Sequence, residues 1–495
     1  FFVAQGASLA AVGLTSLFHL PWNLKAFVGP FVDDYGTKRK WLVGVEVLLA
    51  IALVIFSFVA ALPSVLALAS AMFVIVACLS ATHDIAIDGL YLEAIDKDQQ
   101  EALIGWRAPA YRVALLFVTS LVVVVCDKAG WAIGFALMAV VMTALLVFHA
   151  IFLPRTEREH RPLAELARRA LSARFLAVAV LLALVVAAAR WFVTSIAWWA
   201  LGVSLSRAAP ALYQKLAARE AADFIGIALL IALIVMLLAL PSIKRRIERS
   251  QSAYGASFVS FLAQKHAGRI LAWVILFRVG ESFYQTMRYP FVHGQLGLTQ
   301  SEFGVAQGTF GVIAGVISPV VGGFLIAQFG LKRCIWPFMI AMNGLHLIFC
   351  AAALFAHDIA SATTPIIGIV DTRMIIATGI IVVENVGAGL ATASFMVYLI
   401  RCCSPEHKAA HMALLTSVMS LSFTIAGVFS GFIADRLGFP LYFVLTFCVT
   451  IPGMVLTLFV PHIDGPRAQS LSASGSAGST DSINTSGSTG SGSAS

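Results

Sequence analysis

Gly29-Pro-Phe-Val-Asp33-Asp34-Tyr-Gly36-Thr-Lys38-Arg39-Lys40 is a short charged loop between two long apolar runs, and its reading decides the fold. A reduced copy, Gly323-Phe-Leu-Ile-Ala-Gln-Phe-Gly330-Leu-Lys332-Arg333, recurs 294 positions later with both glycines and both basic residues in register. Two copies of one loop imply two copies of one helical bundle. Tyr91-Leu92 and Tyr398-Leu399 repeat at an offset of 307, and Asp127-Lys-Ala-Gly-Trp and Asp435-Arg-Leu-Gly-Phe at 308. A longer outer loop around 357–372 absorbs the drift between the offsets.

The runs flanking these loops belong to a very apolar chain. Of 495 residues, 60% are hydrophobic and 12% charged, with a mean hydropathy of +0.91; a soluble domain is about 45–50% apolar. Apolar runs recur at the length of about 20 residues that a helix needs to cross about 30 Å of hydrocarbon. They do not alternate as barrel strands would. The fold class is therefore an all-α polytopic membrane protein of two six-helix halves. The net charge of +8 comes from short basic loops rather than a patch interleaved with aromatics, so it reads as an orientation signal and not as a nucleic-acid surface. None of the seven cysteines forms a C-x-x-C pair, and neither a metal site nor a cofactor is expected.

Thirteen spans are predicted, at 3–29, 41–61, 64–92, 104–126, 131–153, 175–201, 223–240, 270–289, 302–328, 334–356, 373–400, 411–433 and 439–461. They group into a first half over 1–154, a connector over 155–269 with two extra helices, a second half over 270–462 and a Ser/Gly-rich tail over 463–495. Basic residues concentrate in the loops at 38–40, 155–174, 244–249, 332–333 and 401–408, which makes that side and the carboxyl terminus cytoplasmic. The repeat then predicts a further helix ahead of Phe1, in a parent of fourteen spans. The segment Pro162–Phe175 collects its leucines and alanines on one helical face, as a helix lying on the membrane surface does.

Charges inside spans mark candidate sites, because they are costly in hydrocarbon. Asp84 and Asp88, four apart, share one helical face, and paired carboxylates suit proton coupling; structural ion pairing with Lys25, Arg107 or Arg112 is the alternative. Arg112, preceded by Tyr111, lies deep in a span and suits capture of a carboxylate or phosphate, or else partners Asp84. Arg278 and Glu281, three apart, either neutralise each other or, with Tyr284, Gln285 and Arg288, form a polar stripe along a water-lined cavity. Glu384 and Asn385 open the Gly-rich run Val386-Gly-Ala-Gly389, and Glu384 is a further proton-site candidate. His19, His149 and His346 are expected to be packed core. No metalloprotease, nucleophile-elbow, P-loop or dinucleotide motif is present, so an enzyme is not expected.

The loop motif and its copy resemble the signature between the second and third helix of each half in the major facilitator superfamily. Leu79-Ser-Ala-Thr-His-Asp84-Ile-Ala-Ile-Asp88, Tyr111-Arg112, Arg278-Val-Gly-Glu281 and Glu384-Asn385-Val-Gly-Ala-Gly389 are similar to stretches of AmpG-type muropeptide permeases and the related acetyl-coenzyme A transporters. That family also carries two extra helices between its halves. The resemblance implies proton-driven uptake of anhydromuropeptides across a bacterial inner membrane, by a monomer in the lipid bilayer acting on an anionic glycopeptide. The expected mechanism is rocking of the two halves about a midplane cavity, with Arg112 and Arg278 holding the anionic group and Asp84, Glu281 or Glu384 exchanging a proton. Where such permeases tend to carry Lys and Asp, this chain has Arg278 and Glu281, which keeps the charge. Gly29, Asp33, Gly36, Lys38 and Arg39, with Gly323, Gly330, Lys332 and Arg333, read as gate elements. Efflux of amphipathic compounds, an acyl-coenzyme A cargo and a non-transporting sensor remain open.

Overall fold

The computed structural model describes residues 1–23, 28, 32, 35–63, 65–94, 110–154, 161–170, 260–367, 370–404 and 408–463. The predicted connector spans at 175–201 and 223–240, the tail, and Lys25, Gly29, Asp33 and Arg107 lie outside them. The first half comprises α1 (Leu9–Leu14), α2 (Lys38–Val59), α3 (Leu66–Ala94), α4 (Ala110–Ala129) and α5 (Trp131–Phe152). A short α6 (Leu163–Ala170) follows. The second half comprises α7 (Ala267–Gly294), α8 (Gln300–Phe329), α9 (Leu331–Leu354), α10 (Thr372–Cys402) and α11 (Lys408–Thr457). Among the described residues, eight helices are long and apolar enough to cross a membrane.

The repeat read from sequence is written into the backbone at four glycines. Gly36 and its counterpart Gly330 have φ of 69° and 81°, and Gly130 and its counterpart Gly438 have 91° and 71°. A residue with a Cβ pays about 1–2 kcal/mol in this left-handed region, so glycine is the residue that turns the chain there. Gly438 thereby divides α11 into the two spans expected at 411–433 and 439–461. Thr37 sets the start of α2 by accepting the Lys40 N–H on its side chain, and Asp371 does the same for α10 from Met374.

Two expectations are corrected. The span predicted at 3–29 is not one continuous helix: turns at Val3–Gln5, Leu9–Leu14, Thr15–His19 and Leu20–Asn23 succeed one another, with tighter 3₁₀ winding around α1. The loop at 357–372 holds a short helix, Ala356–Ser361, and a two-stranded antiparallel pair, Pro365–Ile367 with Val370–Asp371. Its carbonyls and amides thus find partners outside the helices.

Lipid tails are as apolar as the side chains, so helices associate here by fit and by polar contacts. In the first half, Phe56 and Phe135 stack with centroids 3.9 Å apart, and Phe73 meets Phe56 edge-on at 4.8 Å. In the second, Trp273, Phe277, Phe395 and Tyr398 form one aromatic layer and Phe291, Phe349, Phe439 and Phe443 another. The halves approach most closely at glycines. A Cβ on Gly13 would come within 2.9 Å of the Gly427 carbonyl oxygen, and one on Gly431 would collide with the backbone of Leu9. A π-helical turn in α4, Phe117–Val122, lies against a matching one in α8, Gly304–Gly311, where the Ser120 and Thr309 hydroxyls bond at 3.0 Å. Beyond them Asp127 accepts from the Ser301 hydroxyl at 2.5 Å and its backbone N–H at 3.3 Å. These contacts close the halves together at the end remote from Gly36.

Gly431→Leu is expected to force α1 off α11, because backbone cannot yield as a side chain can. Overpacking costs about 1–3 kcal/mol, and a lowered thermal midpoint of the full-length protein in lipid nanodiscs is the measurement.

Candidate functional site

Toward the opposite end lies a cavity of about 560 Å³ between the halves. The first half contributes His19, Trp22, Ser80, His83, Asp84 and Tyr111, and the second contributes Thr416, Ser417 and Ser420 from α11. The first half therefore supplies all of its titratable groups. Asp84 faces this cavity with Tyr111, which is 65% exposed. Asp88 lies one helical turn further along α3 and does not line it. Asn23 donates to Thr424 at 2.9 Å, tying the rim of the first half to α11.

Arg112 reaches across the interface at Gly315. A Cβ on that glycine would lie 3.6 Å from Arg112 Nη1 and 3.7 Å from Asn385 Oδ1, so guanidinium and amide converge on bare backbone of α8. Asn385 is held in turn: its amide donates to the Ile381 carbonyl at 2.8 Å and to Gln307 Oε1 at 3.2 Å, while Ser318 donates to its backbone carbonyl at 3.3 Å. Gln307 and Gly315 take part in this convergence, and sequence reasoning does not single them out. Gln307 has a usable signal, as an uncharged amide inside the apolar run 302–328. Gly315 has none among so many glycines.

The second half resolves its charges into two pairs. Arg278 donates to Glu281 at 2.5 Å and to Thr392 at 3.3 Å, its guanidinium lying over the Phe395 ring; Gln285 donates to the other Glu281 oxygen at 2.6 Å. Both Glu281 oxygens are thus engaged, as the mutual-neutralisation reading has it. Glu384, 4% exposed at its side chain, pairs with Arg288 at 3.5 Å, and that guanidinium lies over the Tyr284 ring. Tyr284 is fully buried against His346 and Phe349, so it does not line an open cavity as the polar-stripe reading requires. His346 is fully buried too. His149, expected as packed core, instead bonds Glu46 on α2, a carboxylate with no partner legible in the sequence.

The two copies of the loop differ. In the first, Gly36 N–H donates to the Arg161 carbonyl at 2.7 Å, and Arg39 donates to the carbonyls of Ala150 and Leu153 at the end of α5. A cation on the carbonyl end of a helix completes its unpaired acceptors and opposes its dipole. Lys38 is buried and donates to the Val32 carbonyl at 3.3 Å. In the second copy Lys332 and Arg333 are exposed, and among the described residues no Cβ contact crowds Gly323 or Gly330. These contacts of Gly36, Lys38 and Arg39 stay within the first half and the segment at 161–170.

Residues 270–482 match the family model of the Major Facilitator Superfamily. Among curated relatives, an uncharacterized protein of Haemophilus influenzae is 27% identical over 38% of this chain, which spans 43% of that relative's length. A putative transporter AmpG 4 of Rickettsia conorii is 20% identical over 92% of this chain and 89% of its own. The anhydromuropeptide permease of Escherichia coli is 19% identical, covering 92% and 73%. Among solved structures, a POT family transporter in complex with 5-aminolevulinic acid superposes with a TM-score of 0.62 at 14% identity, over 94% of this chain and 91% of that one. A D-xylose-proton symporter does so with 0.58 at 11%, over 93% and 91%.

Arg288→Ala leaves Glu384 buried without its cation, a change that costs about 3–5 kcal/mol. The expected result is a large drop in the thermal midpoint of the purified protein, with partial recovery when Glu384→Gln is added to it.

Proposed function

We infer that this chain, a transporter of the major facilitator superfamily with AmpG-type relatives along most of its length, takes up anionic muropeptides together with protons across a bacterial inner membrane. The observation that carries the reading is the meeting of Arg112 from one half with Asn385 from the other at Gly315. A guanidinium offers paired donors to a carboxylate, and an amide beside it offers both a donor and an acceptor to an acetamido or peptide group. Such a substrate bridges two bodies, so its binding differs between their relative positions, and that difference is what drives alternating access. Tyr111 and Asp84 line the cavity between the halves. Arg278, occupied by Glu281 in this state, becomes available to an anion if Glu281 takes a proton, which gives coupling a chemical form. Glu384 with Arg288 supplies a second such pair.

A specific observation supports a second reading. An apolar groove of about 720 Å³ runs between the 2–28 segment and α3, lined by Phe18, Leu20, Leu66, Val74 and Ile85 among others. A groove of that character suits the acyl or aromatic part of an amphipathic cargo.

The test is uptake of labelled anhydro-N-acetylmuramyl peptide by the full-length protein in proteoliposomes. Arg112→Ala is expected to raise KM about tenfold or more, since a hydrogen bond to a charged group is worth about 1.5–3 kcal/mol. Equal uptake with and without an inward proton gradient would overturn proton coupling, and preference for a lipophilic cation over the muropeptide would favour the second reading.

A further inference from the structure

Glu46 stands in the middle of α2 with no exposed surface at all. Its Oε1 meets two imidazoles from two other helices, Nε2 of His83 on α3 at 3.0 Å and Nδ1 of His149 on α5 at 2.6 Å. Its Oε2 is buried with no hydrogen-bond partner among the described residues. Among those residues no lysine or arginine pairs with it: Lys38 and Arg39, two turns earlier on the same helix, are turned onto backbone carbonyls. An ionised carboxylate without compensation costs several kcal/mol in such surroundings. Neutrality is reached in one of two ways, by one imidazolium beside the carboxylate or by a protonated carboxyl between two neutral rings. Each arrangement holds one proton more than the fully deprotonated set, so the trio is a one-proton store by charge balance.

The store has an outlet. His83 also lines the cavity between the halves, next to Asp84 and across from His19 and Tyr111, with 18% of its side chain exposed. An imidazole can accept a proton on one nitrogen from cavity water while it yields the proton on the other to Glu46, and the reverse step returns it. His149 is 26% exposed on the far side of the same carboxylate. Within a turn of Glu46 and of His149 the helices carry no other titratable group; α3 adds Asp84 beside His83, Asp88 beyond it and Cys78 before it.

We propose that Glu46, His83 and His149 form a proton-holding site in the first half, separate from the Arg–Glu pairs of the second half, which exchanges its proton with the central cavity through His83. Its use in driving transport rests on the proposed function above; the holding of a proton does not. Protonation in one half and ion-pair exchange in the other would let each body report its own charge state to the shared cavity.

Two measurements decide it. Ring-¹⁵N-histidine solid-state NMR of the full-length protein in lipid bilayers at neutral pH reads imidazolium directly, and carboxyl infrared bands read a protonated Glu46. A cationic ring assigned through His83→Gln and His149→Gln, or a carboxyl band lost in Glu46→Gln, is the expected result, with Glu46→Asp retaining it. Ordinary neutral rings and no such band in the unmodified protein would overturn the proposal without recourse to any variant. In proteoliposomes carrying labelled anhydro-N-acetylmuramyl peptide, a one-unit inward pH gradient sustains about tenfold accumulation at one proton per substrate. Glu46→Gln is expected to bring accumulation to about unity while substrate exchange without a gradient stays within about twofold, whereas a merely structural role lowers both together. Absence of uptake by the unmodified protein would remove the muropeptide reading and leave the proton site to stand or fall on the spectra.

Discussion

A carboxylate placed in hydrocarbon must find a counter-charge or a proton, and the interior of this protein is arranged around three that do so differently. Glu281 takes two donors from its own helix, Arg278 and Gln285. Glu384 takes Arg288 from a neighbouring helix. Glu46 takes two imidazoles, each from a different helix, and no permanent cation among the described residues. The first is satisfied locally, the second by packing of α7 on α10, the third by three helices at once. The second and third therefore tie stability to particular contacts between helices.

The halves approach most closely through glycine and small polar side chains, with Val12 and Leu9 of the first half packed on an apolar core of the second. Gly13 meets Gly427 and Gly431, and the π-helical turns of α4 and α8 pair through Ser120 and Thr309. Such contacts bring the backbones close. Both aromatic layers sit inside the second half, and the Phe56, Phe73 and Phe135 cluster sits inside the first. Arg39 on the carbonyl end of α5 ties the first copy of the loop to its own half.

Much of the candidate site is legible in the sequence because charge in an apolar run stands out. Asp84, Arg112, Arg278, Glu281 and Glu384 are all visible in that way. Which of them meet is not. Arg112 and Asn385 are far apart in sequence and converge only at Gly315, whose own signal is the absence of a side chain. Tyr284 follows Glu281 by three residues and reads as part of one polar stripe, yet it turns into an aromatic core. Glu46 and His149, 103 positions apart, each sit alone in an apolar run, so neither reads as half of a pair.

From residues alone came the membrane class, the two repeated halves and most span positions, since hydrophobic length and left-handed glycines are local properties that each segment carries by itself. Gly36 and Gly330, Gly130 and Gly438 bear this out in their backbone angles. Tertiary structure alone decided the partners of each buried charge, the broken course of the 1–23 segment and the end at which the halves close. Those depend on distances between helices, and in a bilayer, where apolar faces attract one another no more than they attract lipid, it is steric fit and polar pairing across the chain that set them.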